Sequence, residues 1–124
     1  MNLNGRLPAL IDHHQNNHTV WESHAIIQYV IAMYDKGHTL YPEEVFAQSQ
    51  VNQWYMLQVN GRGPTIGQAF WFGYWHHEIL PRAYKRYVNE TKRITGVLDE
   101  WLKIRKWLVN EKMTIADVLF FGMV

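Results

Sequence analysis

Two dipeptides in the first quarter of the chain carry the residue types a binding site needs. Glu22-Ser23 sets a carboxylate beside a hydroxyl where the sequence turns helical, and Leu7-Pro8 puts a proline at the head of an apolar run. A serine at that point is placed to cap the first helical turn, accepting from backbone N–H groups that have no partner inside the helix. A proline in a strand marks an edge or a special backbone geometry, because it donates no hydrogen bond. Read one at a time, the pair is a cap and a strand end.

Other chemistries are weaker. Seven histidines raise metal binding, above all His13, His14 and His18 and the run His76-His77-Glu78, since imidazole is a common zinc ligand. There is no His-Glu-x-x-His, and adjacent histidines rarely share one ion with good geometry, so they read as solvated loop residues and no metal is expected. The basic stripe Arg82, Lys85, Arg86 and Arg93 is interrupted by Glu90 and reads as a solvated helix face. The chain has no cysteine, hence no disulfide, thiolate nucleophile or cysteine-based zinc site. Twelve basic against eleven acidic residues leave a net charge of +1, which excludes a strong field for nucleic acid or an anionic membrane.

These residues must be held by a packed scaffold. With 124 residues, 48% of them hydrophobic, and six Trp and seven Tyr, the composition is that of a globular interior. No apolar stretch is long enough for a bilayer, and the amino end lacks the apolar core of a secretion signal. A soluble, cytoplasmic protein is the simplest expectation. The closing run Val118-Leu119-Phe120-Phe121-Gly122-Met123-Val124 is unusually apolar for a carboxyl terminus and reads as a cut end.

The segment Leu7 to Asp12 reads as a strand, the polar run His13 to His18 as a turn, and Thr19-Val20-Trp21 as a returning strand. From Ser23 onward, Ile26, Ile27, Val30, Ile31 and Tyr34 fall at helical spacing. Gly37 and Pro42 then break the pattern and mark a boundary, beyond which no further strand is expected. A second helix is expected from about Glu43 to about Asn60, ended or sharply kinked by Gly61-Arg62-Gly63-Pro64, with a shorter piece running through Phe72. A third carries Tyr84, Tyr87, Val88, Thr91, Ile94, Leu98, Trp101 and Leu102 on one buried face. Thr114-Ile115-Ala116-Asp117 is a capping box, with Met113 and Val118 spaced for a hydrophobic staple.

Asn4-Gly5-Arg6-Leu7-Pro8-Ala9-Leu10, Trp21-Glu22-Ser23-His24-Ala25-Ile26 and the Thr-Ile-Ala-Asp after Met113, in this order and spacing, resemble the glutathione transferase superfamily. Gln48-Ser49-Gln50-Val51-Asn52-Gln53-Trp54, Gly63 to Ala69, and Arg86 to Asp99 resemble its fungal branch of nitrogen-catabolite-repression regulators. The resemblance covers nearly the whole chain. It departs at Leu3, where many relatives have proline, and His24 adds an imidazole beside the site.

The resemblance implies an α+β protein: the second half of a thioredoxin-like domain at residues 1–36, then a truncated all-α glutathione-transferase C-terminal helical domain at 43–124. By the same comparison the first half of the former and the last helices of the latter are expected to be missing. The resemblance further implies a cis bond before Pro8, so that Leu7 hydrogen-bonds the cysteinyl part of glutathione through its backbone like an added strand. The γ-glutamyl group carries a carboxylate and an ammonium. Ser23 and the helix terminus suit the first and the Glu22 carboxylate the second. The expected glutathione-binding residues are therefore Leu7, Pro8, Glu22 and Ser23, with glutathione as co-substrate.

No residue of this chain is assigned the thiol-activating role, so no catalytic residue is expected here and the fragment is not expected to be a competent transferase. An intact parent would join glutathione to a small hydrophobic electrophile or reduce peroxides. The electrophile would lie against the helical domain near Trp54, Gln58 and Gly61, although a Trp at helical spacing reads first as core. The regulator branch implies the other class: a non-catalytic protein that keeps the fold and sequesters a transcription factor. Either way a homodimer is implied, with no direct nucleic-acid or membrane contact.

Overall fold

Two short runs rich in β-branched, aliphatic and aromatic residues, on either side of a polar turn, fold the first segment into a hairpin. In the computed structural model, which describes residues 1–121, strands β1 (Ala9–Asp12) and β2 (His18–Trp21) pair antiparallel with Ala9 opposite Trp21 and Asp12 opposite His18. A single 3-10 turn, His13–Gln15, joins them, followed by Asn16 and Asn17 in left-handed backbone at φ 52° and 56°. Asparagine tolerates that conformation better than most side chains. Pro8 stands just outside β1. Helix α1 (Ser23–Tyr34) follows β2 and ends at Asp35, whose carboxylate organises the next loop.

The chain divides into two compact units, Met1–Pro42 and a second that begins at Glu43. Gly122, Met123 and Val124, part of the apolar carboxyl end, lie outside the described residues.

The second unit is helical. The Glu44 carboxylate starts α2 (Val45–Met56) by accepting from the N–H groups of Phe46 and Ala47 at 2.9 and 2.8 Å. The expected break at Gly61-Arg62-Gly63-Pro64 does not stop the helical path. A π-turn, Leu57–Arg62, leads directly into α3 (Gly63–Phe70), with Pro64 in its first turn. The hydrogen-bond ladder runs on across the junction, where the Gly63 N–H donates to the Gln58 carbonyl five residues back. A second π-turn, Trp71–Trp75, runs on to His76, where the backbone becomes extended. Gly73 is required here: a Cβ on it would meet Cε2 of Tyr84 at 2.9 Å.

Helix α4 (Pro81–Leu102) packs on α3, and α5 (Ile115–Phe121) packs on α2. Val51 and Tyr55 of α2, Ile94 and Leu98 of α4, and Ile115, Ala116 and Leu119 of α5 are buried, together with Leu108 and Val109 from the connecting segment. The apolar stripe of α4 is buried only in its middle, since Tyr84, Trp101 and Leu102 stay more than a third exposed. The capping box forms as the sequence indicates. The Thr114 hydroxyl accepts from Ala116 N–H at 3.2 Å, and the Asp117 carboxylate accepts from Thr114 N–H at 2.8 Å. Among the described residues no helix is long and apolar enough to cross a membrane.

Candidate functional site

The hairpin register decides which sequence-predicted residues meet. Because Ala9 faces Trp21, Leu7-Pro8 enters β1 at the same end of the hairpin at which Glu22-Ser23 leaves β2. The Leu7–Pro8 bond is cis, as the resemblance implies. Leu7 is 93% exposed, so no packed side chain covers the backbone that an added strand would use.

Ser23 differs from its expected role. It is the first residue of α1, not its cap; the cap position belongs to Glu22, at φ 73°, and no side chain caps the helix. The left-handed turn at Glu22 carries the chain from strand to helix in one residue, which moves Ser23 a step too far along for its hydroxyl to reach back over the first turn. That hydroxyl instead lies 3.3 Å from Nδ1 of His24. The α1 amino terminus thus presents its dipole without a side-chain acceptor, an arrangement that favours an anion.

Electrostatics at this end are set by three groups. The Asn4 side-chain amide donates to Oε1 of Glu22 at 3.1 Å, tying the segment before Leu7 to the carboxylate after β2. Asn4 belongs to the family-like motif, but a contact spanning that much sequence leaves no local signal. Burial holds the His24 pKa below its usual value against the opposing pull of Glu22.

The opposite end of the hairpin is anchored by a buried carboxylate. Asp12, 7% exposed, accepts from the hydroxyls of Tyr29 at 2.8 Å and of Tyr34, and from His14 N–H at 3.0 Å. These bonds, that of Tyr34 first, lower the Asp12 pKa despite its burial. Burial, reinforced by the carboxylate, pushes the Tyr29 hydroxyl up to about 12. The cluster fixes α1 against β1 and so fixes the helix amino terminus beside the strand ends.

The histidines do not converge. His13 pairs with Asn17 at 2.6 Å and His76 stacks on His77 at 4.7 Å between ring centres. Among the described residues no group of three or more His, Cys, Asp or Glu side chains is assembled to hold an ion. In the helical unit Gln58 is fully buried, whereas Trp54 lines a concavity of about 250 Å³ with Trp101 and Trp107. Spacing alone placed Trp54 in the core; the tilted Trp54–Trp101 contact at 5.3 Å leaves it half-buried at that surface.

The chain matches two family models: Glutathione S-transferase, N-terminal domain, over residues 1–32, and Glutathione S-transferase, C-terminal domain, over residues 63–124, half of the chain. It is similar to Glutathione S-transferase 1 of Schizosaccharomyces pombe, with 44% identity over 123 residues, 98% of this chain and 54% of that protein. Its identity to the Transcriptional regulator URE2 of Saccharomyces cerevisiae is 33% over 155 residues, 97% of this chain and 44% of that protein. The crystal structure of the glutathione transferase URE2P6 from Phanerochaete chrysosporium in complex with oxidized glutathione matches with a TM-score of 0.89. Their identity is 47%, over 96% of this chain and 55% of that one. The chain thus spans about half the length of the curated relatives it matches. Matching models for both domains, in the expected order and with the cis-proline hairpin and the capping box in place, show that the chain belongs to the glutathione S-transferase family.

Proposed function

We propose that this chain supplies the γ-glutamyl and cysteinyl contacts of a glutathione site. The backbone of Leu7, held by Pro8, takes the cysteinyl portion as an added strand. The Ser23 N–H and hydroxyl, with the α1 dipole, take the γ-glutamyl carboxylate, and Glu22 takes the ammonium. The observation that carries this reading is the hairpin register, which brings an exposed strand end and an uncapped helix terminus to one place. Glutathione is then a co-substrate. The protein to which the chain contributes joins the thiol to a small hydrophobic electrophile or reduces peroxides, as a cytoplasmic homodimer. The thiol-activating group lies elsewhere in that protein.

A second reading rests on the similarity to the URE2 regulator: the same fold and glutathione site in a non-catalytic protein that acts on nitrogen catabolite transcription by holding a transcription factor. Recovery of the coding sequence upstream discriminates. A hydroxyl donor placed for the thiolate favours the enzyme, and an Asn/Gln-rich extension favours the regulator.

The test of the site is retention on immobilised glutathione by protein expressed from the complete coding sequence. Ser23→Ala removes a hydrogen bond to a charged group, which corresponds to roughly a tenfold loss of affinity. Glu22→Ala leaves the ligand ammonium unpaired and weakens retention further. Unchanged retention by both variants refutes the assignment.

A further inference from the structure

The chain contains two Asn-Gly dipeptides, Asn4-Gly5 and Asn60-Gly61, and the fold treats them in opposite ways. Asn-Gly is the pair best suited to spontaneous deamidation, because glycine has no Cβ to obstruct its own amide nitrogen. The reaction needs that nitrogen to reach Cγ of the asparagine. In a helix the following N–H is committed to the hydrogen-bond ladder and the backbone is locked away from the required angle.

Asn60 and Gly61 lie inside the π-turn Leu57–Arg62. A Cβ position on Gly61 has Cδ1 of Ile94 at 3.3 Å and Cδ1 of Leu57 at 3.6 Å, so the backbone there is hemmed in by packed side chains. Asn4 and Gly5 are both exposed in a turn ahead of β1. Gly5 sits at φ 64° with nothing within 4 Å of a Cβ position, and its N–H makes one long bond, 3.3 Å, to the Asn2 carbonyl. Asn4 is also the residue whose amide donates to Glu22.

We propose that Asn4 is a deamidation site whose conversion switches off the Glu22 side of the ligand cradle. The Gly5 nitrogen attacks Cγ of Asn4 and loses its proton. The C–Nδ2 bond breaks and ammonia leaves, giving a cyclic succinimide. Water then opens the ring at either carbonyl, producing aspartate or isoaspartate. The net change is one amide and one water converted to a carboxylate and ammonium, with no oxidant or enzyme required.

Two consequences follow at the site. The donor that holds Glu22 becomes a second carboxylate at hydrogen-bonding distance, and two like charges so close displace one another. The isoaspartate product also inserts an extra main-chain carbon shortly before Leu7-Pro8. This consequence rests on the glutathione reading above, whereas the chemical step does not.

The test uses protein expressed from the complete coding sequence and aged in mildly alkaline buffer at physiological temperature. Peptide mapping by mass spectrometry reports the amide-to-acid mass gain at each Asn-Gly. Asn4 is expected to convert, with the Asn60 site at least about tenfold slower, since reaction inside the helix waits on local opening. Urea-unfolded protein should convert both at similar rates. Equal rates in the folded protein, or no conversion of Asn4, overturn the proposal. Fresh protein should be retained on immobilised glutathione, while aged protein and fresh Asn4→Asp are retained less. Asn4→Gln should lose retention on ageing far more slowly than wild type. If fresh wild-type protein is not retained, the glutathione reading fails and the mass data alone judge the site. If it is retained and Asn4→Asp is retained equally, the proposed effect on Glu22 is refuted.

Discussion

Replacing Asp117 by alanine removes the acceptor on which two separate segments depend. Its Oδ1 accepts from Leu108 N–H at 2.9 Å, and its Oδ2 accepts from Thr114 N–H at 2.8 Å and from the Thr114 hydroxyl at 3.1 Å. Leu108 is 3% exposed and Thr114 is fully buried, so water does not replace the carboxylate at either backbone donor. Each buried donor left unsatisfied costs about 1 to 3 kcal/mol, which gives a loss of about 2 to 6 kcal/mol for the pair. That is a large part of a domain stability of about 5 to 15 kcal/mol. Thr114→Ala removes only the cap to Ala116 and the hydroxyl contact, at about 1 to 2 kcal/mol. Because the two residues share a bond, the double variant should lose less than the sum of the singles.

Urea unfolding of protein expressed from the complete coding sequence, followed by tryptophan fluorescence, is the assay. Trp101 is a useful reporter because its Nε1–H donates to the Leu108 carbonyl at 3.0 Å, on the segment that Asp117 holds. With a slope of about 2 kcal/mol per molar urea, a loss of about 3 kcal/mol moves the midpoint down by about 1.5 M. A fall of less than about 0.5 M at unchanged slope, or strict additivity with Thr114→Ala, refutes the view that these bonds carry the stability of the α5 start.

Two further expectations rest on single features. The Asp35 carboxyl is drawn down to about 2 by the Thr39 hydroxyl first and then by the Leu40 and Thr39 N–H groups, against a small opposing effect of burial. Its folded pKa lies below the unfolded 3.8, so its contribution to stability is present above that value and fades as pH falls towards 2; a carboxyl NMR titration with an ordinary midpoint near 3.8 contradicts the loop geometry. Gly73→Ala drives a methyl group into the Tyr84 ring at 2.9 Å and should cost about 1 to 3 kcal/mol in the same unfolding assay, whereas Gly67→Ala, with open space at its Cβ position, should be neutral or mildly stabilising, and equal effects at the two glycines contradict the packing.

Several features were legible in the sequence because their causes are local. The capping box needs only Thr114, Ala116 and Asp117, a few residues apart. The hairpin needs two apolar runs and a turn rich in asparagine. The helical stripe of α4 was visible for the same reason, although only its middle proved buried. The cap of α1 falls one position before Ser23, since nothing in the local sequence shows that Glu22 takes φ 73° and occupies the cap itself. The Gly-Arg-Gly-Pro break failed to end the helix because a π-turn shifts the hydrogen-bond ladder, an outcome that depends on what the helix packs against.

By itself the sequence determined the family pattern, the order of elements, and the absence of any cysteine or strong charge. Those follow from residue type and near-neighbour spacing. Tertiary structure decided which groups actually meet: Asp12 with two tyrosines from α1, Asp117 with Leu108, and Asn4 with Glu22. It also decided which of two identical Asn-Gly pairs lies open and which is locked in a helix. The physical reason is common to all of them. A buried donor or carboxylate must find its partner wherever the packed chain brings one, and that distance in space bears no fixed relation to distance along the sequence.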